Sequence, residues 1–444
     1  MNVLVLLALV GFMTATRTFN AEESAFIGSI TLLVVGYLLL TAHFMGKVVA
    51  RLQLPKLTGY IGAGILAGAS GLDLIPDEAL DNAKIFTGVA VALIALTAGS
   101  ELELRRMRAL WRAIGWITGL AVVGGALVLA GTVLGLSRWL PFMAGLTPPQ
   151  AAAIALVLGA VMAAQSPAVV VALRTELQAD GPVCRTVLGV VVIADLVVIV
   201  LFTGASTVAD ALMGGSAELG QTVLRLAWEL FGSIAVGIGV GGPLAFYLRR
   251  VGHDAGLIVL VVAFVVAEVG HRVGLDPLLV ALAAGLLVRN ATEQGDALHH
   301  AIEGSALPVY LVFFAVTGAT IHLHVLAVVG VPAVILVLVR ASAFMVGARV
   351  ACRIAGAEDV VRRFVGFGLL PQAGLALALS TLFARTFPEL GPDAAALTLG
   401  IVALNELVAP VAYRLALIRS GEAGAAGSES ALPVPVAAAE GPPP

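Results

Sequence analysis

The chain has 444 residues, 60% of them hydrophobic and 12% charged, with a formal net charge of −3 and a mean hydropathy of +1.04. These values exclude a soluble enzyme of this length and a disordered chain, and they point to a polytopic membrane protein. The charges lie in short loops and form no basic stripe, which argues against nucleic acid as a partner.

Residues 113–137 and 139–173 carry no charged side chain, and each run is long enough to cross about 30 Å of hydrocarbon as a helix. Nothing alternates with the period of a membrane β-barrel. The expected fold is therefore all-α. In chain order, residues 1–24 form an N-terminal segment. Its apolar part, 1–16, is short and lacks a basic n-region, so it reads as a marginal extra span or a signal and is left out of the core. Apolar segments follow at about 25–46, 57–72, 85–100, 113–136, 150–173 and 186–209, then 223–248, then 256–271, 277–288, 305–322, 327–348, 364–384 and 393–416. That predicts about 13 transmembrane helices.

The order of these segments contains an internal repeat. Leu54-Pro55 before Gly62 and Gly64 matches Asp276-Pro277 before Ala283 and Gly285; Leu96 to Gly99 matches Ala315 to Gly318; Ala194-Asp195 matches Asn405-Glu406. Repeat one spans 25–209, repeat two 256–416, and segment 223–248 is the linker helix. Six segments plus one connector separate equivalent helices, so the halves run through the membrane in opposite directions, the inverted-repeat layout of a secondary transporter. Eighteen Lys and Arg residues fall in loops on one side and five on the other. The arginine-rich side, with the C-terminus, is therefore predicted to be cytoplasmic, in a cell membrane. Residues 419–444 are rich in Gly, Ala, Ser and Pro and read as a disordered cytoplasmic tail.

Several polar residues lie within apolar segments. Asp195 is the only charge between Arg185 and Asp210; a carboxylate at that depth is costly unless it works. Two segments are interrupted at matching places, by Gln165-Ser166-Pro167 and by Pro371-Gln372-Ala373-Gly374. Proline removes a donor and clashes with the preceding turn, so both helices are expected to break near the midplane and leave polar ends facing a cavity. One such proline alone reads as a tolerated kink; two matched breaks, each with a glutamine, read as a site. Asp195, Gln165 and Ser166 are the expected ion- and proton-binding residues. Pro167, Pro371, Gln372 and Gly374 are the expected helix-break residues. Arg340 is the only basic residue deep in a segment, and it must pair with Asp195 or Glu406, or neutralise the second broken helix. Glu406, the repeat partner of Asp195, reads either as a second carrier or as the acceptor that holds Arg340, so Arg340 and Glu406 are grouped as charge compensation.

The remaining features have plainer readings. Glu101 and Glu103 stand before the arginines from Arg105 onward and read as a solvated helix end, and Glu268 reads as interfacial. His322 and His324 are two apart and fall on different helix faces, so no metal site is expected. The run Gly237 to Gly242 has no strand before it and reads as helix packing. Gly64 and Gly68 mark a close helix contact, for which a dimer face is one candidate. Cys184 and Cys352 read as packed thiols.

Pro55 through Gly68, Gly99-Ser100-Glu101, Gln165 to Pro167, Asp195, Phe313-Phe314 before Gly318, Arg340 and Pro371 to Gly374 together resemble the sodium/hydrogen exchanger-like domain of the second branch of the monovalent cation:proton antiporter superfamily. The resemblance spans roughly residues 28 to 418. It implies a homodimer with a dimerisation domain and a mobile core containing two crossed, broken helices, moving as an elevator. It also implies that Asp195 is the ion- and proton-binding aspartate. Electrogenic relatives carry two adjacent acids where this chain has Ala194-Asp195, so the likeness implies electroneutral exchange of H⁺ for Na⁺ or K⁺, with no enzymatic step and no cofactor. The rivals are a Na⁺-coupled organic anion symporter of similar architecture and a transport-dead membrane scaffold or sensor.

Overall fold

The computed structural model describes residues 2–19, 27–214, 224, 227–321, 324–372 and 374–425, and the elements it contains are helices. They are α1 (Asn2–Phe19), α2 (Ile27–Arg51), α3 (Lys56–Ala67), α4 (Asp77–Glu101), α5 (Trp111–Gly135), α6 (Pro148–Ala163), α7 (Pro167–Leu177), α8 (Pro182–Leu212), α9 (Trp228–Arg250), α10 (Ala255–Val273), α11 (Pro277–Ala291), α12 (Gly295–Ala319), α13 (His324–Ala355), α14 (Asp359–Gly368), α15 (Gly374–Thr386) and α16 (Gly391–Arg419). Proline opens α6, α7, α8 and α11, where its missing N–H is not needed and its φ suits the first turn. Gln150 and Thr147 close a capping box on α6, and Gly274, at φ 70°, ends α10.

Among the described residues eight stretches are long and apolar enough to span a membrane, α6 and α7 together making one of them, or nine if α12, bent by 56° between Ile302 and Ala306, is counted as one span; α10, α11 and α15 contribute shorter apolar helices. Each of the thirteen apolar segments falls on a helix or on a broken pair of helices; α3, α10, α11 and α15 are short, so length and composition do not confirm thirteen as the number of spans. The N-terminal α1 packs on α2 and buries Met13.

The helices sort into two halves. Helices α1–α4 and α9–α12 pack on one another, as do α5–α8 and α13–α16. Each repeat therefore gives three helices to the first half, the scaffold, and the rest to the second, the core. Backbones in the scaffold touch. A Cβ on Gly64 would lie 2.0 Å from the Ala315 carbonyl oxygen, one on Gly318 2.2 Å from that of Ile61, and one on Gly68 2.5 Å from that of Ala319. Gly64 and Gly68 are thus consumed in the α3–α12 contact within this chain, rather than presented to a second copy. A Cβ on Gly237 would likewise lie 2.4 Å from the Val280 carbonyl oxygen and one on Gly241 2.9 Å from that of Ala284, so these two glycines of the run serve helix packing.

The sequence places a disordered tail after Arg419, but residues 420–425 are docked. Glu422 is buried and accepts hydrogen bonds from the backbone N–H of Val183 (2.6 Å) and Cys184 (2.8 Å); the Asp180 N–H donates to its carbonyl (3.1 Å), and the Gly424 N–H to that of Leu177 (2.9 Å). Composition averages over the tail and misses one carboxylate that fits the positive end of α8. Residues 426–444 lie outside the described residues. The contact brings the residues that follow α16 to the first turn of α8.

Glu422→Ala is expected to cost about 1–2 kcal/mol of stability, read as a lower unfolding temperature in detergent. The pH dependence at this end has two opposed parts. Burial pushes the Asp180 carboxyl up, but hydrogen bonding and charge from Arg185 and Arg174 outweigh it and hold the group below its ordinary value. Its stabilisation is present above the ordinary carboxylate range and is lost as pH falls through the lowered value. For Glu422 burial outweighs the two N–H donors and the value is raised. Its contribution is greatest in acid and is lost as pH rises through the raised value, so Glu422→Gln should flatten that loss.

Candidate ion-binding site

Asp195 lies 13 residues into α8, roughly 20 Å from the helix start at 1.5 Å per residue. It is 3% exposed, and neither carboxylate oxygen has a hydrogen-bond partner among the described residues. Helix α8 packs on α6, whose last residues lead into the first break. There the chain leaves the helix at Ala164, passes through Gln165, and re-enters it at Pro167, with Ser166 capping α7 by accepting from the Val169 N–H (3.3 Å). Gln165 is buried at 1% exposure with both amide atoms unpartnered. The second break runs from Leu369 to Gly374, the first residue of α15, with Pro371 and Gln372 buried inside it.

Arg340 joins the two breaks. It is fully buried in α13; its Nε donates to the Met162 carbonyl (2.7 Å), Nη2 to those of Ala164 (3.0 Å) and Leu369 (3.4 Å), and Nη1 to that of Leu370 (2.6 Å). Met162 and Ala164 end α6, and Leu369 and Leu370 follow the end of α14, so two helix C-termini, each about half a negative charge, converge on one guanidinium. Phe344 supplies a ring face 4.6 Å away. The Gln372 side-chain N–H also donates to the Met162 carbonyl (2.9 Å), and Asn405 Nδ2 donates to Gln372 Oε1 (2.7 Å).

Of the alternatives open to Arg340, the structure thus has it neutralising the second broken helix, and the first with it; its pairing with Asp195 or Glu406 is not seen. Glu406 is 2% exposed and its Oε2 has no partner among the described residues. Four of the five guanidinium N–H groups go to carbonyls, and no hydrogen bond or ion pair to Glu406 is present among the described residues. Asn405 is a member of this cluster that its residue type alone did not single out; the available signal was its place beside Glu406, opposite Ala194 in the repeat.

Glu101 also differs from expectation. It is not at a solvated helix end: its side chain is 4% exposed and paired with Arg174 of α7. Glu268 forms an exposed i,i+4 pair with Arg272, as an interfacial residue should. His322 and the side chain of His324 lie outside the described residues, and among the described residues no group of three or more His, Cys, Asp or Glu is placed to hold a metal.

Residues 37–418 match the family model described as sodium/hydrogen exchanger, transmembrane. The chain belongs to the sodium/hydrogen exchanger family. Two structures of the sodium proton antiporter MjNhaP1 from Methanocaldococcus jannaschii share the fold of this exchanger-family chain. One has a TM-score of 0.65 at 16% identity, covering 89% of this chain and 100% of that one; the other has 0.68 at 15%, covering 89% and 96%. A curated relative, the iron transporter MagA of Paramagnetospirillum magneticum, is 31% identical over 161 residues, and the match spans about a third of each chain, 36% of this one and 34% of that one.

Proposed function

We propose that the protein is a secondary active antiporter exchanging H⁺ for Na⁺ or K⁺, with Asp195 alternately protonated and cation-loaded. The observation that carries this reading is the Asp195 carboxylate itself, buried, without a hydrogen-bond partner on either oxygen among the described residues, and carried by a helix that packs on the first broken one. One negative charge in a dry interior is satisfied by a proton or a monovalent cation but not by both, and this exclusion couples the two fluxes. Gln165 and Ser166 offer further oxygen ligands at the break, while Arg340, committed to carbonyls, stays out of the exchange and keeps the helix ends together. With a single carboxylate at the position on α8, the exchange is one for one and electroneutral. Movement of the core against the scaffold, an elevator, gives Asp195 access to each side in turn. The protein would work as a homodimer in the cell membrane with its arginine-rich end in the cytoplasm. The single carboxylate favours a monovalent cation over the iron named for the curated relative.

The test is the purified protein in liposomes carrying a pH-sensitive dye, challenged with Na⁺, K⁺, Li⁺ or Fe²⁺. Cation-evoked proton movement is expected with Na⁺ or K⁺ and should be insensitive to a valinomycin clamp. No movement with any cation overturns the reading, and uptake of an organic anion with Na⁺, in the absence of a pH gradient, would replace it with symport.

A further inference from the structure

The scaffold and core meet chiefly where α3 and α4 face α7 and α16. At the arginine-rich end three polar contacts cross that boundary. Glu101, the last residue of α4, is ion-paired with Arg174 of α7. Glu176 of α7 accepts hydrogen bonds from the Lys56 N–H at the start of α3, at 2.9 and 3.1 Å to its two oxygens. Arg414 of α16 donates to the Gln53 carbonyl in the turn before α3 (2.8 Å). Each contact has one member in the scaffold and one in the core.

The first of them is held in place from behind. Arg174 Nε donates to the Ala179 carbonyl (3.2 Å), and its guanidinium also meets Asp180, which binds Arg185 at the start of α8. Beside the pair lies a cleft of about 140 Å³, lined by Glu101, Glu103, Arg174, Asp180, Arg289 and Asp296. Arg174 keeps 17% of its side chain exposed there and Glu101 4%. Water therefore reaches the pair, which a permanently sealed structural pair does not need.

The geometry points to a clasp: Glu101–Arg174, Glu176 on the start of α3, and Arg414 on Gln53 lock the core to the scaffold in the conformation described, and all must part for the core to move. This rests on the elevator reading above. Hydrogen bonds near 3 Å do not survive relative displacement of more than about 1 Å along the boundary. The clasp is thus closed in one state of the transport cycle and open in the other, and Glu101 and Arg174 act as positioning residues rather than ion ligands.

The experiment uses the full chain in proteoliposomes with Cys184→Ala, so that the native thiol near Arg174 does not compete. Glu101→Cys with Arg174→Cys should still move protons on cation addition, stop when Cd²⁺ bridges the two thiols, and recover on chelation, with neither single variant affected. Bridging confirmed by thiol titration but without loss of transport overturns the clasp. If that variant fails to fold, Lys56→Cys with Glu176→Cys, joined by a short bismaleimide, takes its place with the same two outcomes. A second readout does not depend on transport. Ser100→Cys keeps the ion pair at a position that is 1% exposed, and a water-soluble maleimide should label it as the clasp opens; persistent protection overturns the proposal. A parent protein that moves no protons with any cation defeats the antiport reading, and the labelling result then decides the clasp by itself.

Discussion

Asp195→Asn is expected to reduce cation-evoked proton movement in proteoliposomes to the level of protein-free vesicles, with no loss of heat stability. The substitution keeps shape and volume but removes the charge. Nothing in the structure depends on that charge, since neither oxygen is hydrogen-bonded to a described residue. An uncompensated carboxylate in a low-dielectric interior is a cost to the fold, so its neutral isostere should be at least as stable. A structural aspartate behaves in the opposite way, losing its partner and with it stability. The pair of readouts therefore separates the roles. Lost transport with retained stability marks a carrier, lost stability marks a strut, and retained transport removes Asp195 from the mechanism.

Arg340→Ala is expected to destabilise the protein by about 3–5 kcal/mol, the range for removing one member of a buried ionic arrangement. The four carbonyls it binds belong to two helix ends; without the guanidinium those of Ala164, Leu369 and Leu370 would lose this donor, that of Met162 would keep only Gln372, and the two ends would repel each other. Arg340→Lys should recover only part of the loss. An ammonium carries three donors on a point charge and lacks the planar fork that reaches Met162 and Ala164 on one side and Leu369 and Leu370 on the other. Unfolding temperature in detergent, with yield of monodisperse protein, is the measurement. Gln372→Ala removes a single donor to Met162 and one acceptor for Asn405, and should cost about 1–2 kcal/mol. Equal stability of Arg340→Ala and the parent would show that the crossing holds without its cation.

The sequence made the broken helices and the buried aspartate readable because both are violations of local rules: proline inside an apolar run and a charge at membrane depth. It made Arg340 readable for the same reason, but not its partners. Those are backbone oxygens, which every residue carries, and which four of them face the guanidinium depends on how α6 and α14 end in space. Glu101 was misjudged because its neighbours in sequence, Arg105 onward, suggested a local charge cluster, whereas its partner Arg174 comes from another helix entirely. Glu422 was hidden by the low-complexity residues around it. The apolar runs marked where helices lie, but an apolar run states that a segment is enclosed and leaves open whether lipid or protein encloses it, so the number of spans is not fixed by them.

The docking of Glu422 has a practical corollary. Glu422 is tethered to the first turn of the helix that carries Asp195, at Val183 and Cys184. A fluorophore at residue 425 would ride on the same body as Asp195, and paired with one on α2 it would report any movement of core against scaffold by energy transfer. An affinity handle joined at Arg419 in place of the residues that follow would instead strip that helix of its end group, so such additions belong after residue 425.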